Sequence, residues 1–426
     1  MKVLIITYYW PPSGGSGVQR WLKFVKYLQE FGITPVVYTV ANPDYAIEDT
    51  TLEAKIPKGV EVIREPIWEP YKLANLFSRK KKTKTSAGFL EHKPSFLGKV
   101  MTYVRANYFI PDARMFWIKP SVKHLEKYLK KQPVDFIISS GPPHSLHLIG
   151  LALKKKLNIP WVSDFRDPWT DIDYFHQLPL SKKAKQKHFD LEKEVLTNSN
   201  AVLVVGKTMQ QNYLPFNKNT FVVPNGFDIA AVSEKPNLDS QFSLTHIGMM
   251  NEDRNPLVLW KVLKELTEEI PSFKKDLEIK LIGKIAQPVL KEIEQKGLSG
   301  HLNQIEYLAH SEVQEYQRKS QVLLLAVNNV PSAKGIITGK IFEYLVAKRP
   351  ILAIGPVDGD LAEILKETDA GTIVDFEDYT SLKRVILDLY KGYQNNSLET
   401  KSEGIQKYHR KEITRQLSEI LKTIQK

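Results

Sequence analysis

The chain has 426 residues, of which 42% are hydrophobic and 25% charged, the composition of an ordinary globular protein rather than a disordered or fibrous one. It has no cysteine, which excludes disulfide bonds, thiolate metal sites and cysteine nucleophiles. No apolar run approaches the roughly 20 residues that span a bilayer, and the opening MKVLIITYYWPP is too short for a signal peptide, so we expect a cytoplasmic protein. The length exceeds the roughly 100–200 residues of a typical domain and predicts two domains.

The positive charge lies in the first half of the chain. The formal net charge is +12; residues 1–227 carry 33 basic against 19 acidic side chains, whereas residues 228–426 carry 27 against 29. This asymmetry indicates that the first half meets an anionic partner such as phosphate, nucleic acid or a membrane surface. We expect no nucleic-acid binding, because the lysines cluster in one loop rather than along an aromatic-studded sheet.

Short apolar strands alternate with amphipathic helices in two series. The first series predicts strands at 3–7, 34–40, 59–65, 135–140, 160–165 and 201–205, with helices at 18–31, 144–156 and 181–198. The second predicts strands at 243–248, 277–283, 321–327 and 350–355, with helices at 256–269, 288–297, 339–348, 360–367 and 380–392 and a charged helical end at 397–426. We therefore expect an α/β protein of two doubly wound parallel sheets with a cleft between them, and ligands beyond the carboxyl ends of the strands.

Residues 72–117 break this alternation. They contain the basic run SRKKKTKTSAG at 78–88 and then FLGKVMTYVRANYFIPDARMFW at 96–117, where aromatic and aliphatic side chains interleave with basic ones. One interpretation is a basic loop and an amphipathic segment that lie on an anionic membrane surface, through residues 79–117. The other is a solvated lysine loop beside a helix whose aromatic residues are ordinary core.

The loop after the first strand reads PPSGGSG at 11–17 and opens a helix. Its glycines let a ligand approach the backbone closely, and the N–H groups of the following helix N-terminus suit a phosphate. The loop matches neither the dinucleotide-binding nor the P-loop pattern, so a plain strand–helix turn is the alternative.

The strand at 160–165 runs into the motif DFRDPW at 164–169. Two carboxylates and a guanidinium are costly to place together at a strand end unless they are paired or used, so Asp164, Arg166 and Asp167 are candidate site residues. The alternative is a structural Asp–Arg ion pair, with Pro168 turning the chain.

Pairs of histidines and aspartates raise the question of a metal. His144 and His147 are three residues apart in GPPHSLH, but no third ligand is evident, and we interpret His144 as a site residue that hydrogen-bonds a substrate. We interpret the pairs in DID at 171–173 and DGD at 358–360 as turn residues, because neither directly follows an apolar strand. The sequence therefore predicts no metal site.

The most informative segment is KGIITGKIFEYLVAKRPILAIG at 334–355. A loop with glycine and threonine opens a helix that carries Lys340 and Glu343 on adjacent turns, and Pro350 ends it. The loop offers backbone N–H groups to a diphosphate, Lys340 adds a positive charge, and Glu343 can accept hydrogen bonds from two vicinal hydroxyls of a ribose. This helix predicts a nucleotide-diphosphate site.

Four motifs together resemble the glycosyltransferases of the GT-B fold, specifically the retaining family 4-like group, also called glycosyl transferases group 1. They are VLIITYYWPPSGGSGVQR at the start, PNGFD at 224–228, THIGMMNEDRNP at 245–256 and GKIFEYLVAKRPIL at 339–352, in the order the family has them. The resemblance implies two Rossmann-like domains that face a central cleft: an acceptor-side domain at 1–227 and a donor-binding domain at 228–399, with a helix at 400–426 that packs back on the first.

The resemblance also implies the chemistry, namely transfer of a sugar from a nucleotide-diphosphate sugar to a saccharide or lipid-linked acceptor, with retention and without a metal or other cofactor. Arg254 would contact the diphosphate, Glu343 the ribose and Lys284 the base. The implied donor-binding residues are Gly14, Gly15, Arg254, Lys284, Gly335, Thr338, Lys340 and Glu343, and those on the acceptor side, one of which would take the acceptor proton, are His144, Asp164, Arg166 and Asp167. The expected setting is polysaccharide or glycolipid synthesis in the cytoplasm, with peripheral attachment at the inner face of the membrane.

Two positions depart from the family's pattern. The family's helix carries a further glutamate eight positions before the equivalent of Glu343, and that position is Gly335 here. The family also often has a histidine after the strand that ends here in SDFRD. The nucleotide end of the site therefore resembles the family more than the donor-sugar end does. A nucleotide-sugar epimerase of the same architecture and a catalytically silent nucleotide-binding homologue are the alternatives.

Overall fold

The computed structural model describes residues 1–69, 96–228, 236–306, 308 and 310–425. The chain forms two compact units: unit 1 consists of Met1–Asn225 with Arg410–Lys426, and unit 2 of Gly226–His409. The basic run at 79–84, and with it residues 79–95 of the predicted membrane segment, lies outside the described residues.

Unit 1 is built on a seven-stranded sheet in which every pair of neighbouring strands is parallel. The strands are β1 (Lys2–Ile6), β2 (Thr34–Val40), β3 (Glu61–Glu65), β4 (Phe136–Gly141), β5 (Trp161–Phe165), β6 (Ala201–Val204) and β7 (Thr220–Val222), in the order β3-β2-β1-β4-β5-β6-β7. The helices between them are α1 (Ser16–Leu28), α2 (Phe96–Tyr108), α3 (Met115–Lys131), α4 (Ser145–Leu157), α5 (Lys182–Asn198) and α6 (Lys207–Tyr213).

The apolar run of β1 explains why this sheet has a core on both faces. Leu4 and Ile6 join one buried cluster and Val3 and Ile5 another, because successive side chains of a strand point to opposite faces. Burial on both faces requires a continuous apolar strand, which is the pattern that the sequence shows.

Unit 2 is built on a six-stranded sheet, also parallel throughout. Its strands are β8 (Phe242–Ile247), β9 (Leu277–Ile282), β10 (Leu302–Ile305), β11 (Val322–Ala326), β12 (Ile351–Ile354) and β13 (Gly371–Val374), in the order β10-β9-β8-β11-β12-β13. Its helices are α7 (Leu257–Glu269), α8 (Pro271–Asp276), α9 (Gln287–Gln295), α10 (His310–Lys319), α11 (Lys340–Ala347), α12 (Asp360–Thr368) and α13 (Tyr379–Gln394).

The last helix, α14 (Arg410–Gln425), belongs to unit 1 and packs on α1. Its buried side chains Ile413, Leu417 and Leu421 repeat every four residues and join the same cluster as Val18 and Leu22 of α1. The predicted α/β class with two parallel sheets is confirmed. The C-terminal helix packs on unit 1, which also contains the N-terminus.

The segment at 96–117, predicted as one amphipathic stretch, divides into two parts. Ile110 and Trp117 are buried core residues, and the Arg114 guanidinium is paired with the buried Glu69, with Nε and Oε1 3.1 Å apart. Ile110 and Trp117 therefore belong to the protein interior, as the core interpretation predicted, whereas Phe116 is exposed. None of the helices in the described part of the chain has the length and apolar character that a membrane-spanning helix requires.

Candidate active site

The predicted site residues are divided between the two units. Unit 2 holds Arg254, Lys284, Gly335, Thr338, Lys340 and Glu343, and unit 1 holds Gly14, Gly15, His144, Asp164, Arg166 and Asp167.

The carboxyl ends of β8 and β9 meet at two glycines. The two strands pair in register up to Ile247 and Ile282, so that Gly248 and Gly283 leave the sheet side by side. Both have a φ of +112°, a conformation that residues with a side chain rarely adopt, and a Cβ on Gly283 would lie 3.0 Å from the Gly248 carbonyl oxygen. The glycines therefore allow two turns to pack closely beside the start of α11.

Two cationic side chains converge on the turn after Gly248. The Met249 carbonyl oxygen accepts a hydrogen bond from Arg254 Nη1 at 3.0 Å and lies 3.5 Å from Lys340 Nζ. Arg254 ends a short 3-10 turn (Glu252–Arg254), and Lys340 is the first residue of α11. Burial, and then the neighbouring Arg254, lower the pKa of Lys340 well below its usual range, against the opposite effect of Glu343. An anion bound between these cations would offset both the burial of the Lys340 charge and its repulsion by Arg254. The arrangement is therefore suited to a phosphate group.

Lys340 also contacts His246, a residue that the sequence analysis missed. His246 is fully buried in β8, with Nε2 3.0 Å from Lys340 Nζ and Nδ1 3.2 Å from the Leu324 carbonyl oxygen of β11. Burial, and then the charges of Lys340 and Arg254, lower the pKa of His246 well below its usual range. The sequence feature that could have indicated this residue is a histidine next to the end of an otherwise largely apolar strand.

Glu343 lies in the first turn of α11, half-buried, where Gln317 Nε2 donates a hydrogen bond to its Oε2 at 3.1 Å. Gln317 is a second site residue that the sequence analysis missed. Among the described residues, no side chain caps the N-terminus of α11, and the Thr338 hydroxyl is buried without a hydrogen-bond partner. The start of this helix therefore offers backbone N–H groups, a hydroxyl and an oriented carboxylate to a ligand.

Lys284 and Gly335 occupy more open positions. Lys284 is exposed directly after Gly283, and its carbonyl oxygen accepts a hydrogen bond from the Met250 N–H at 3.1 Å. Gly335 ends a 3-10 turn (Ala333–Gly335) in which Lys334 forms an exposed ion pair with Asp358 at 2.5 Å. At the position of the family's further glutamate, this chain therefore has a short turn with a surface ion pair.

Asp164 of unit 1 is a fully buried carboxylate with all its partners inside the protein. Its oxygens accept hydrogen bonds from Arg20 at 2.7 Å, from Trp21 Nε1 at 2.8 Å and from the Ser140 hydroxyl at 2.8 Å. Burial raises its pKa, but Arg20 and these hydrogen bonds outweigh burial and hold the pKa below its usual value. The geometry is that of the structural ion pair weighed in the sequence analysis, with Arg20 rather than Arg166 as the partner.

Arg166 and Asp167 lie at the open end of β5. Arg166 donates to the carbonyl oxygens of Gly17 at 3.0 Å and Pro142 at 2.7 Å, and its guanidinium lies over the Tyr9 ring. The Asp167 side chain has exposed surface, and desolvation by the surrounding protein raises its pKa above the usual value; Arg166 opposes this shift and Asp173 adds to it. Asp167 is thus a solvent-accessible carboxylate with increased proton affinity.

His144 is the buried residue that precedes α4, and its ring stacks on Trp169 with centroids 4.8 Å apart. Trp169 is fixed in turn, because its Nε1 donates to His188 Nδ1 at 3.0 Å and its backbone N–H donates to Glu192 at 3.3 Å. Burial lowers the pKa of His144 well below its usual range, so the ring is neutral. Its Nδ1 is buried without a hydrogen-bond partner among the described residues.

Gly14 and Gly15 precede α1. The Gly14 N–H donates to the Ile47 carbonyl oxygen at 2.9 Å, and a Cβ at this position would lie 2.7 Å from the Ile47 side chain. Gly15 has a φ of +79° and is exposed at the start of the helix. Close packing against Ile47 therefore explains why position 14 is a glycine, and the positive φ explains why position 15 is one.

No group of three or more acidic or histidine side chains in the described ranges is arranged to hold a metal ion. His144 and His147 lie with ring centroids 5.7 Å apart, and the His147 Nδ1 contacts the Ser139 hydroxyl at 2.9 Å. Asp358 lies in a turn, as predicted, whereas Asp360 is the first residue of α12. The expectation of a metal-free reaction remains a prediction.

Two family models match the chain. The model for Glycosyltransferase Family 4 matches residues 85–231, and the model for Glycosyl transferases group 1 matches residues 241–392. Together they cover more than two-thirds of the sequence. No curated protein matches the chain.

Solved structures are similar over nearly the full length at low identity. Sucrose-phosphate synthase from Thermosynechococcus elongatus has a TM-score of 0.65 and 15% identity, covering 99% of this chain and 98% of its own. A mutant of S. aureus TarM, solved with fondaparinux, alpha-GlcNAc-glycerol and UDP, has a TM-score of 0.61 and 13% identity over 99% of both chains. A putative UDP-N-acetylglucosamine 2-epimerase from Listeria monocytogenes has a TM-score of 0.56 and 12% identity, covering 99% of this chain and 96% of its own. At these identities the likeness establishes the fold.

Proposed function

Because the chain belongs to the family 4-like glycosyltransferases of the GT-B fold, we propose that it moves a sugar from a nucleotide-diphosphate donor to a saccharide or lipid-linked acceptor with retention of configuration. The observation that carries the proposal is the convergence of Arg254 and Lys340 on the Met249 carbonyl oxygen at the start of α11. These two half-buried cations repel each other, and a bound donor diphosphate would offset that repulsion.

The residues around this cation pair support a donor site that extends to the nucleoside. The N–H groups that open α11 and the Thr338 hydroxyl would bind phosphate oxygens, and Glu343, oriented by Gln317, would accept the ribose hydroxyls. Lys284 would lie towards the base, and Gly335 towards the donor sugar. Departure of the diphosphate develops negative charge, which Arg254 and Lys340 would stabilise without a metal ion.

On the acceptor side, the geometry favours different roles for the two carboxylates. We assign Asp167 as the group that takes the acceptor proton, because it is exposed and its pKa is raised. Asp164 cannot reach an acceptor from its buried position among Arg20, Trp21 and Ser140, and serves to position the end of β5. His144 would support the acceptor side through its ring, which stacks on Trp169.

The exposed side of α2 supports a peripheral position on an anionic membrane, where a lipid-linked acceptor would be found. Val100, Met101, Tyr103, Val104 and Tyr108 are all exposed, and Tyr108 exposes 71% of its surface. The only charged side chains of the helix, Lys99 and Arg105, are basic and exposed. An apolar face with basic residues and no acidic ones suits an anionic lipid surface, which would place the enzyme in glycolipid or polysaccharide synthesis at the inner membrane face.

The donor site is tested by thermal-shift measurements with UDP, GDP, ADP and dTDP, because a ligand that binds only the folded protein raises its Tm. We expect at least one of them to raise the Tm of the wild type and to lose this effect in Arg254→Ala and Lys340→Met. Lys366→Met, which removes an exposed lysine from α12, is the matched control and should respond as the wild type does. No shift in the wild type, or an unchanged shift in both variants, would refute the site.

Turnover of the matching nucleotide sugar separates transfer from the two alternatives. A glycosyltransferase forms a new glycosidic bond that depends on the acceptor, whereas an epimerase converts the donor without any acceptor. Nucleotide binding without either reaction, over a broad panel of saccharide and lipid-linked acceptors, would identify a silent homologue.

Membrane binding is tested by co-sedimentation with vesicles of phosphatidylglycerol and phosphatidylcholine at low and high salt. We expect binding that weakens with salt and is lost in Val104→Asp/Tyr108→Asp. Val357→Asp is the matched control, since Val357 exposes 56% of its surface in unit 2 and has no part in the proposal. Equal loss of binding in the control would contradict the assignment to α2.

A further inference from the structure

The contacts and the burial of His246 together indicate its protonation state. A carbonyl oxygen can only accept a hydrogen bond, so the ring nitrogen that faces Leu324, Nδ1, carries the proton. Burial, and then the charges of Lys340 and Arg254, hold the pKa of the ring well below its usual range, so Nε2, 3.0 Å from Lys340 Nζ, carries no proton and presents its lone pair. His246 is therefore neutral and accepts a hydrogen bond from Lys340.

The Nε2 acceptor of His246 lies beside the Lys340 ammonium, which Arg254 repels. Lysine side chains are long and mobile, and the repulsion of Arg254 would favour a Lys340 that turns away from the Met249 carbonyl oxygen. The His246 ring cannot move freely, because it is fully buried in β8 and held at Nδ1 by the neighbouring strand β11. The Lys340 stem in turn lies against Gly248, where a Cβ would be 2.7 Å from Cε. The sheet thus holds the ammonium beside Arg254.

We propose that His246 is a positioning residue of the donor site, whose Nε2 fixes the Lys340 ammonium next to Arg254 and so prepares both cations for the two phosphate groups of the donor. The proposal rests on the donor site proposed above. It predicts that the contribution of His246 to binding acts through Lys340 and is specific for the diphosphate, because no atom of His246 needs to touch the nucleoside.

A double-mutant cycle tests this coupling. The dissociation constants of UDP, GDP, ADP and dTDP, and of the corresponding nucleosides, are measured by calorimetry for the wild type, His246→Phe, Lys340→Met and the double variant. We expect each single variant to weaken diphosphate binding about tenfold, which corresponds to about 1.4 kcal/mol. The double variant should be no weaker than Lys340→Met, and nucleoside binding should be unchanged throughout.

Two further variants separate positioning from a general loss of structure. His246→Gln keeps an acceptor oxygen in the place of Nε2, and should recover most of the affinity that His246→Phe loses. His301→Phe is the matched control, because His301 Nδ1 also contacts a backbone carbonyl oxygen, that of Leu277, at 3.2 Å in unit 2. It should leave diphosphate binding unchanged.

The outcomes distinguish the two proposals. Additive losses in the double variant, or equal losses of nucleoside and diphosphate affinity in His246→Phe, would overturn the positioning role and leave the donor site standing. Failure of the wild type to bind any of the four diphosphates would overturn the donor site itself, and the role of His246 with it.

Discussion

The two aspartates of the DFRDPW motif differ in burial, and we expect Asp164→Asn to reduce mainly stability and Asp167→Asn to reduce mainly activity. In Asp164→Asn, an amide NH2 group replaces one carboxylate oxygen. This group can only donate hydrogen bonds, yet the side chain faces the donors of Arg20, Trp21 and Ser140. The Arg20 guanidinium also loses its buried counter-ion. In Asp167→Asn the change takes place at an exposed position.

The expected magnitudes differ accordingly. Removing one partner of a buried ion pair costs about 3–5 kcal/mol, because the other charge stays buried. For a unit of this size each kcal/mol lowers Tm by about 2–4 °C, so Asp164→Asn should lower the Tm of unit 1 by about 6–20 °C. Asp167→Asn should change the unfolding free energy by no more than about 0.5 kcal/mol, yet loss of a general base should reduce kcat about 100-fold or more.

The assay combines calorimetric unfolding with initial-rate kinetics at a temperature where both variants are folded. At that temperature Asp164→Asn should retain a substantial part of kcat, and Asp167→Asn should not. The reasoning is refuted if Asp164→Asn unfolds with the wild-type Tm but is inactive, or if Asp167→Asn retains full activity.

Three further expectations concern the buried His147, the turn at Gly248 and the acceptor side. Burial lowers the pKa of His147 to about 3, whereas the unfolded chain binds this proton below about pH 6.5. Between pH 7.5 and pH 5, therefore, only the unfolded chain gains the proton, and the wild type should lose about 2 kcal/mol of unfolding free energy. His147→Asn should not show this loss, and urea unfolding at the two pH values measures the difference. Gly248→Ala would place a methyl group 2.7 Å from Lys340 Cε, and calorimetry should show weaker diphosphate binding with unchanged nucleoside binding. Trp169→Leu removes the ring that stacks on His144, and should raise the KM for the acceptor without changing the Kd of the diphosphate; a changed Kd would contradict the acceptor-side assignment.

Most of the fold could be predicted because interior strands of a parallel sheet are continuous apolar runs. Every strand predicted from the sequence is present, with ends shifted by at most two residues. The three strands missed, β7, β10 and β13, all lie at a sheet edge, and β10 and β13 expose polar residues such as Asn303 and Thr372. Because β10 and β13 are not buried on both faces, they lack the apolar run that makes interior strands recognisable.

The candidate site was less predictable, because contacts far apart in sequence decide what each group does. The motif at 164–169 drew attention to Asp164, but its partner Arg20 is 144 positions away and no local pattern indicates the pairing. His246 and Lys340, similarly, are 94 positions apart. The roles assigned to these residues remain predictions, which the experiments above are designed to decide.

The most direct test of the central claim is a crystal structure of the protein with the nucleoside diphosphate that gives the largest thermal shift. We predict phosphate oxygens at about 2.7–2.9 Å from both the Arg254 guanidinium and Lys340 Nζ, the usual length of a charge-assisted hydrogen bond. A diphosphate bound elsewhere on the protein, with the contacts of Arg254 and Lys340 to the Met249 carbonyl oxygen and of Lys340 to His246 unchanged, would contradict the account.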